Sequence, residues 1–143
     1  MTIKIIDNET EFNQLTAEWN SLLSLSASHV PFLRHEYLSS WWKNLGGGEW
    51  KTGELSLFIQ VDGSRRITGI APFFRNHQSL LFLGSHEISD YLDLITPEEN
   101  LENFITEIMG YLRSNQALEW KELDLYNLPE GTPALQSIKR AAL

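Results

Sequence analysis

Hydrophobic residues recur at helical spacing in four segments of the chain. The first follows Asn8, which with Glu11 three residues later has the pattern of a capping box. The second ends at the three consecutive glycines of residues 46–48, which stop a helix. The third begins with Thr96-Pro97-Glu98-Glu99, and the fourth opens at Thr132-Pro133. The spacing predicts four helices with these apolar positions: Phe12, Leu15, Trp19 and Leu22; Leu38, Trp41, Trp42 and Leu45; Leu101, Phe104, Ile105, Ile108 and Leu112; Leu135 and Ile138.

Between the second and third helices the hydrophobic positions alternate, as they do in strands. Asp62-Gly63 predicts a tight turn, after which residues 66–74 return as a partner strand. Pro72 lies inside that strand and predicts a bulge or an edge position. The alternation places these side chains on one face of the first strand: Leu55, Leu57, Ile59 and Val61.

Four further segments are predicted to be strands. They are residues 3–6, 79–83, 91–95 and 122–126. The element order is a strand, two helices, several antiparallel strands, a helix, a strand and a helix. This order predicts an α/β or α+β fold, in which helices flank a mixed and largely antiparallel sheet. We find no internal repeat, and the length of 143 residues suits one domain.

Composition narrows the functional classes. The chain has 19 acidic and 11 basic residues, a net charge of -8, which disfavours non-specific nucleic-acid binding and docking on an anionic membrane. It has no cysteine, which excludes disulfides and thiolate metal sites and fits a reducing cytoplasm. No signal peptide and no apolar run of membrane-spanning length is present in the sequence. We therefore expect a cytoplasmic protein.

The segment from Leu81 to Leu94 concentrates polar chemistry. An apolar strand runs into Gly84, and His86, Glu87, Asp90 and Asp93 follow within ten residues. These side chains could form a general-base or metal cluster, although the spacing matches no compact metal signature. Alternatively, the carboxylates cap neighbouring backbone N–H groups in a loop. A third interpretation gives Asp90 or Tyr91 a substrate-facing role. We predict no metal site.

Other candidates have simpler interpretations. Residues 48–53 have the first spacing of a phosphate loop but lack the Lys-Ser/Thr that must follow the second glycine. Three arginines flank the predicted hairpin and suit either a phosphate or the protection of an edge strand. Adjacent tryptophans suit one core position beside a partly exposed one. The isolated histidines are expected to be solvated or at the core edge. The arginines are Arg65, Arg66 and Arg75, the adjacent tryptophans are Trp41 and Trp42, and the isolated histidines are His29, His35 and His77.

Several short motifs occur together in an order typical of one family. Trp19 and Leu22 precede Pro31-Phe32, and Trp41 or Trp42 follows. The later motifs are Ile70-Ala71-Pro72-Phe73, Leu83-Gly84, Asp90-Tyr91-Leu92-Asp93, and Leu123-Asp124-Leu125 running to Leu128-Pro129. Over residues 12–138 the chain resembles the amino-terminal half of the GNAT-like acetyltransferases associated with cellulose biosynthesis. These are relatives of the Fem-type peptidoglycan aminoacyltransferases.

The resemblance implies a GNAT-like module over residues 1–143, the first of a tandem pair whose carboxy-terminal module is absent. The complete protein would then transfer an acyl group from acetyl-CoA or another acyl-CoA to an amine acceptor, either a small molecule or a polysaccharide precursor. Asp90 and Tyr91 would line the acceptor groove, with His86 and Glu87 behind them. The chain lacks the family's coenzyme A loop, Gln/Arg-x-x-Gly-x-Gly/Ala, so we expect no cofactor and no activity from this fragment alone.

Two further expectations follow from a missing module. An exposed apolar patch would mark its docking surface, and Trp42 and Trp50 are the candidates for it. The alternative to an acyltransferase is a non-catalytic binding or dimerisation module, which a homodimer would favour.

Overall fold

The computed structural model describes residues 1–26, 31–44, 51–84, 92–114, 122–124 and 133–142, and it shows a mixed α+β fold. This agrees with the predicted fold class at the level of helices combined with largely antiparallel strands, although the strands form two sheets and not the one predicted. The described helices are α1 (Glu9–Asn13), α2 (Thr16–Leu25), α3 (His35–Lys43), α4 (Glu98–Ser114) and α5 (Pro133–Ala142), with a 3-10 turn at Pro31–Leu33.

The first predicted helix is two helices. Asn8 caps α1 as predicted, because its side-chain oxygen accepts the backbone N–H of Glu11 at 2.9 Å. The chain then turns at residues 14–15, where the backbone N–H of Leu15 bonds to the carbonyl of Phe12, and α2 begins at Thr16. The predicted apolar positions still point inward, so the helical spacing located the buried face but not the break.

The strands form two sheets. Their bounds are β1 (Thr2–Ile6), β2 (Glu54–Leu55), β3 (Leu57–Val61), β4 (Ile67–Ala71), β5 (Phe73–Asn76), β6 (Ser79–Phe82) and β7 (Glu122–Asp124). The strand orders are β1-β3-β4 and β2-β5-β6-β7. Among the described strands, β6 and β7 are the one parallel pair, and α4 lies between them in the chain.

One bent hairpin joins the two sheets. Phe58 pairs with Ala71 in the first sheet and Leu55 pairs with Phe74 in the second, three residues further along both strands. The register therefore continues without an inserted residue, and Pro72 interrupts the ladder because it has no N–H to donate. The predicted bulge at Pro72 is wrong, whereas β4, which ends just before Pro72, is an edge strand of its sheet. The chain passes at Pro72 from one sheet to the other.

A bulge lies elsewhere on the same hairpin. Gln60 pairs with Gly69 but Val61 pairs with Ile67, so Thr68 is the extra residue. The predicted turn at Asp62-Gly63 is present as a longer loop. Arg65, and not Gly63, has a positive φ of 64°, which fits a turn closed by a residue in the left-handed region.

Helices cover both faces of the bent hairpin. Phe58 packs edge-on against Tyr111 of α4, with ring centroids 5.7 Å apart. Phe74 packs from the opposite face against Trp41 and Trp42 of α3. In strand β3, Leu57, Phe58, Ile59 and Gln60 are buried in succession, so both of its faces are covered. The alternation predicted over residues 55–61 therefore does not separate a buried face from an exposed one, because a strand covered on both sides has no solvent face.

The buried face of α4 is the one predicted. Its inward positions Leu101, Phe104, Ile105, Ile108 and Leu112 are all buried. Phe104 lies against the backbone of β4, where a Cβ placed on Gly69 would be 2.8 Å from the Phe104 ring. The absence of a side chain at Gly69 therefore sets how closely α4 approaches the sheet.

Candidate functional site

The four predicted site residues follow the carboxyl end of the parallel strand pair. His86, Glu87, Asp90 and Tyr91 lie outside the described residues, whereas the chain on either side of them is described. On the upstream side, the backbone N–H of Leu83 bonds to the carbonyl of Pro72 at 2.8 Å. The next residue, Gly84, has a φ of 121°, a backbone conformation that favours glycine. The end of β6 that leads into residues 85–91 is thus hydrogen-bonded to the adjacent segment at Pro72.

The downstream side is also buried. Leu92, Asp93 and Leu94 are buried, and the Asp93 carboxylate accepts the backbone N–H of Leu94 at 2.8 Å. That bond is of the kind that the capping interpretation predicts for carboxylates of this segment. The strand predicted over residues 91–95 is wrong for residues 92–94. Among residues 92–95 only Ile95 pairs, with Ile70 of β4, through two backbone hydrogen bonds of 2.8 Å.

The start of α4 is poorly suited to a phosphate. The backbone N–H of Thr96 donates to the Ser26 hydroxyl at 3.1 Å, and Pro97 has no N–H. Glu98 and Glu99 occupy the first turn, where their charges offset the positive end of the helix dipole. A pyrophosphate at this point would face two carboxylates, so this helix start is unsuited to coenzyme A.

A groove opens between α2, the tip of the β3–β4 hairpin and the start of α4. We call it the α2–α4 groove, and its volume is about 480 Å³. Its apolar lining comprises Met1, Leu22, Leu25, Ile67 and Pro97. Its polar lining comprises Glu18, Ser21, Asp62, Arg66, Thr68, Glu99 and Asn100. This volume lies within the roughly 300–1,000 Å³ of small-molecule sites.

The charges on this lining are predominantly acidic. Asp62 pairs with Arg66 at 3.4 Å, which leaves Glu18 and Glu99 as additional carboxylates. Hydrogen bonds from the backbone N–H groups of Arg66 and Ser64, with the charge of Arg66, hold the pKa of Asp62 below its usual value. Asp62 therefore stays ionised at neutral pH, and the groove has a net negative lining.

A partly buried polar cluster around Gln60 forms one wall of the groove. The Gln60 amide donates to Glu107 at 2.6 Å, and its oxygen accepts from Thr68 at 2.8 Å and from Asn100 at 2.7 Å. The Thr96 hydroxyl donates to the carbonyl of Thr68 at 2.8 Å. No buried side-chain nitrogen or oxygen in the described part of the chain lacks a partner. Such a fully satisfied network fixes the wall in one arrangement.

Sequence reasoning missed this cluster. Gln60 stands between Ile59 and Val61 in an alternating strand, which predicts a solvent-facing side chain. The one available signal was the amide and acidic spacing of Asn100, Asn103 and Glu107 along α4. That spacing does not tell which strand faces the helix.

His35 is a structural residue. It is buried between Phe12 and Trp19, and its Nε2 lies 2.6 Å from the carbonyl oxygen of Phe12. Because a carbonyl only accepts, Nε2 carries a hydrogen, and Nδ1 lies 3.0 Å from the Thr16 hydroxyl. The expectation of a solvated or core-edge residue is wrong for His35. It holds for the exposed His77, and His29 lies outside the described residues.

The predicted docking patch is wrong at Trp42. This side chain is buried against Phe74, with ring centroids 5.8 Å apart, while Trp41 is partly exposed. Trp50 lies outside the described residues. The described part of the chain does expose large hydrophobic side chains, at Met1 (60%) and Leu25 (69%), and both line the α2–α4 groove.

The three arginines do not form one site. Arg66 pairs with Asp62 at the hairpin tip, and Arg75 pairs with Glu54 between β5 and β2, at the other end of the hairpin. Within the described ranges no group of three or more His, Asp or Glu residues could hold a metal ion. In those same ranges no helix has the length and apolar character needed to cross a membrane.

The comparisons with known proteins give no relative. No protein-family model matches the chain, and no curated protein or solved structure matches it significantly.

Proposed function

We propose that the chain is the amino-terminal module of an N-acyltransferase, and that it mainly shapes the groove for an amine acceptor. The supporting observation is where the predicted segment begins. Residues 85–91 follow Gly84 at the carboxyl end of the parallel β6–β7 pair, and ligands of α/β sheets bind at the carboxyl ends of such strands. The described strands, which are antiparallel apart from this pair and are combined with helices, also suit a GNAT-like module.

The acyl donor belongs, in this proposal, to a carboxy-terminal module of the same family. Acetyl-CoA or another acyl-CoA carries a pyrophosphate, which needs free N–H groups or basic residues. At the start of α4 the N–H of Thr96 is already bonded and two glutamates fill the first turn. In the proposed tandem arrangement the carboxy-terminal module would supply the donor site.

The chemistry is a single acyl transfer. The acceptor amine attacks the thioester carbonyl, a carbon–nitrogen bond forms, the carbon–sulfur bond breaks, and coenzyme A leaves as the thiolate. The amine loses a proton to a carboxylate or through water. We assign Asp90 and Tyr91 to the acceptor groove, with His86 and Glu87 behind them. A cytoplasmic location is part of the proposal and suits a chain without cysteine.

Calorimetric titration with acetyl-CoA tests whether the acyl donor binds to this chain or only to the complete gene product. The complete gene product is expected to bind, and this chain of 143 residues alone is not. Binding by the chain alone would contradict the argument from the start of α4. Binding by neither would remove the acetyl-CoA version of the proposal, and other acyl-CoA donors would then be titrated.

The second candidate is a non-catalytic binding or dimerisation module. The acidic first turn of α4 also favours this candidate, because a module that does not bind an acyl donor need not be catalytic. A stable dimer in sedimentation, combined with no acyl-CoA binding by the complete gene product, would support this candidate over the first.

A further inference from the structure

We propose that the α2–α4 groove binds a small primary amine with an apolar body. The proposal goes beyond the acyltransferase assignment, because it uses none of the residues given to the acceptor segment and requires no acyl donor.

The shape and lining of the groove indicate a small amphipathic ligand. Its volume of about 480 Å³ suits a molecule of modest size, and its apolar lining includes Leu22, Ile67 and Pro97. Leu25 and Met1 stand at its edge and are the large hydrophobic side chains that the described residues leave most exposed. A ligand with an alkyl body would cover these surfaces and remove them from water, which favours binding.

The charged residues that line the α2–α4 groove favour a cationic ligand over an anionic one. Glu18 and Glu99 line the groove on α2 and α4, and Asp62 stands with Arg66 at the hairpin tip. Three carboxylates, against the guanidinium of Arg66 and the α-ammonium of Met1, leave a net negative lining, and the whole chain has a net charge of -8. The positive end of the α4 dipole attracts an anion only weakly, because Pro97 has no N–H to donate and the carboxylates of Glu98 and Glu99 lie in the first turn. An ammonium group near Glu18 and Glu99 meets complementary charge.

The wall of the groove is pre-formed. Thr68 and Asn100 belong both to the lining and to the buried network around Gln60. Their hydrogen bonds fix the side of the groove between the sheet and α4 before any ligand arrives. A pre-formed site loses less conformational freedom on binding than a site that must order itself.

Calorimetry with three eight-carbon probes tests the ligand class. The chain is titrated with n-octylamine, n-octanol and n-octanoate at pH 7 and low salt. We expect n-octylamine to bind at least about tenfold more tightly than n-octanoate, with n-octanol between them, because the lining is apolar and acidic. No binding of n-octylamine, or equal binding of the amine and the carboxylate, would overturn the proposal.

Paired variants locate the binding. Ser21 and Ser24 are both exposed on α2, but only Ser21 lines the groove, so Ser21→Trp should abolish amine binding while Ser24→Trp keeps it. Glu98 and Glu99 both lie in the first turn of α4, but only Glu99 lines the groove. Glu99→Gln should weaken binding about two- to fivefold, the range of an exposed ion pair, and Glu98→Gln should leave it unchanged.

Two results would reject the location or the occupant. Unchanged amine binding by a folded Ser21→Trp variant would place the ligand elsewhere. Self-association in sedimentation that Ser21→Trp disrupts, with no amine binding, would assign the groove to a second copy of the chain. Neither result depends on acetyl-CoA, so the acyltransferase proposal and this one can fail separately.

Discussion

Gly69 and Phe104 show how one residue fixes the distance between a helix and a sheet. Phe104 is fully buried, and its ring occupies the space where a Cβ on Gly69 would stand, 2.8 Å from the nearest ring atom. A buried aromatic ring in a packed core cannot simply move aside. The glycine is therefore needed for space at this position, and Gly69 has no positive φ that would require it.

We expect Gly69→Ala to lower the free energy of unfolding by about 1–3 kcal/mol, the usual penalty for overpacking a core. The measurement is urea unfolding followed by circular dichroism. Gly110→Ala is the matched control, because Gly110 lies in α4 and a Cβ there would meet no atom within 4 Å. That change should raise stability by up to about 1 kcal/mol through helix propensity. Equal effects of the two alanines would contradict the packing argument.

At the scale of the element, the β3–β4 hairpin depends on the chemistry of its turn. The Asp62 carboxylate accepts the backbone N–H groups of Ser64 at 2.8 Å and Arg66 at 3.0 Å. The backbone N–H of Asp62 donates to the carbonyl of Arg66 at 3.0 Å. These bonds to the ionised form explain why the pKa of Asp62 is lowered from its usual 3.8. The turn therefore has a pH-dependent stability.

The sign follows from the lowered pKa of Asp62 in the folded state. Its stabilising contribution is complete above the unfolded value near 3.8 and is lost as the pH falls through the lower folded value. Asp62→Asn should therefore be less stable than the parent chain at pH 6, and the difference should shrink as the pH falls below 3.8. Thermal unfolding measured from pH 6 to about pH 2.5 tests this window.

Ser64→Ala is the control for this experiment. It keeps the Asp62 carboxylate and both backbone donors, so it should follow the pH dependence of the parent chain. A difference between Asp62→Asn and the parent that stays constant across the range would reject the ionised cap as its cause.

Across the whole molecule, the two sheets share one hydrophobic core. The buried residues of both sheets and of α2, α3 and α4 form one cluster, and the hairpin through Pro72 belongs to both sheets. The backbone bond from Ser56 to Phe73, 3.1 Å long, crosses the interruption. This shared packing makes the stability of each sheet depend on the other.

We therefore expect the chain to unfold in one cooperative step, as most single domains below about 150 residues do. Far-ultraviolet circular dichroism and tryptophan fluorescence should give coincident urea transitions. The fluorescence reports in part on Trp19 and Trp42, which lie in the core. Two separated transitions would show that the bend at Pro72 divides the chain into two cooperative units.

The sequence by itself determined the features that depend on local chemistry. The Asn8 cap, the start of α4 after Thr96-Pro97 and the buried stripe of α4 were all predicted correctly. Helical spacing and capping operate within a few residues, so they can be predicted without knowing what the helix packs against. The mixed and largely antiparallel character of the sheet followed from the order of such elements.

Only the tertiary structure decided what depends on partners distant in sequence. Burial of β3 needs α4, whose Tyr111 contacts Phe58, and the Gln60 network joins β3, β4 and α4. The groove likewise has walls from α2, the hairpin tip and α4, whose residues are far apart in the chain. The predicted segment at residues 85–91 was found from its composition, whereas the groove has no signature in any single stretch. Its chemistry exists only where the fold brings Leu22, Ile67 and Glu99 together.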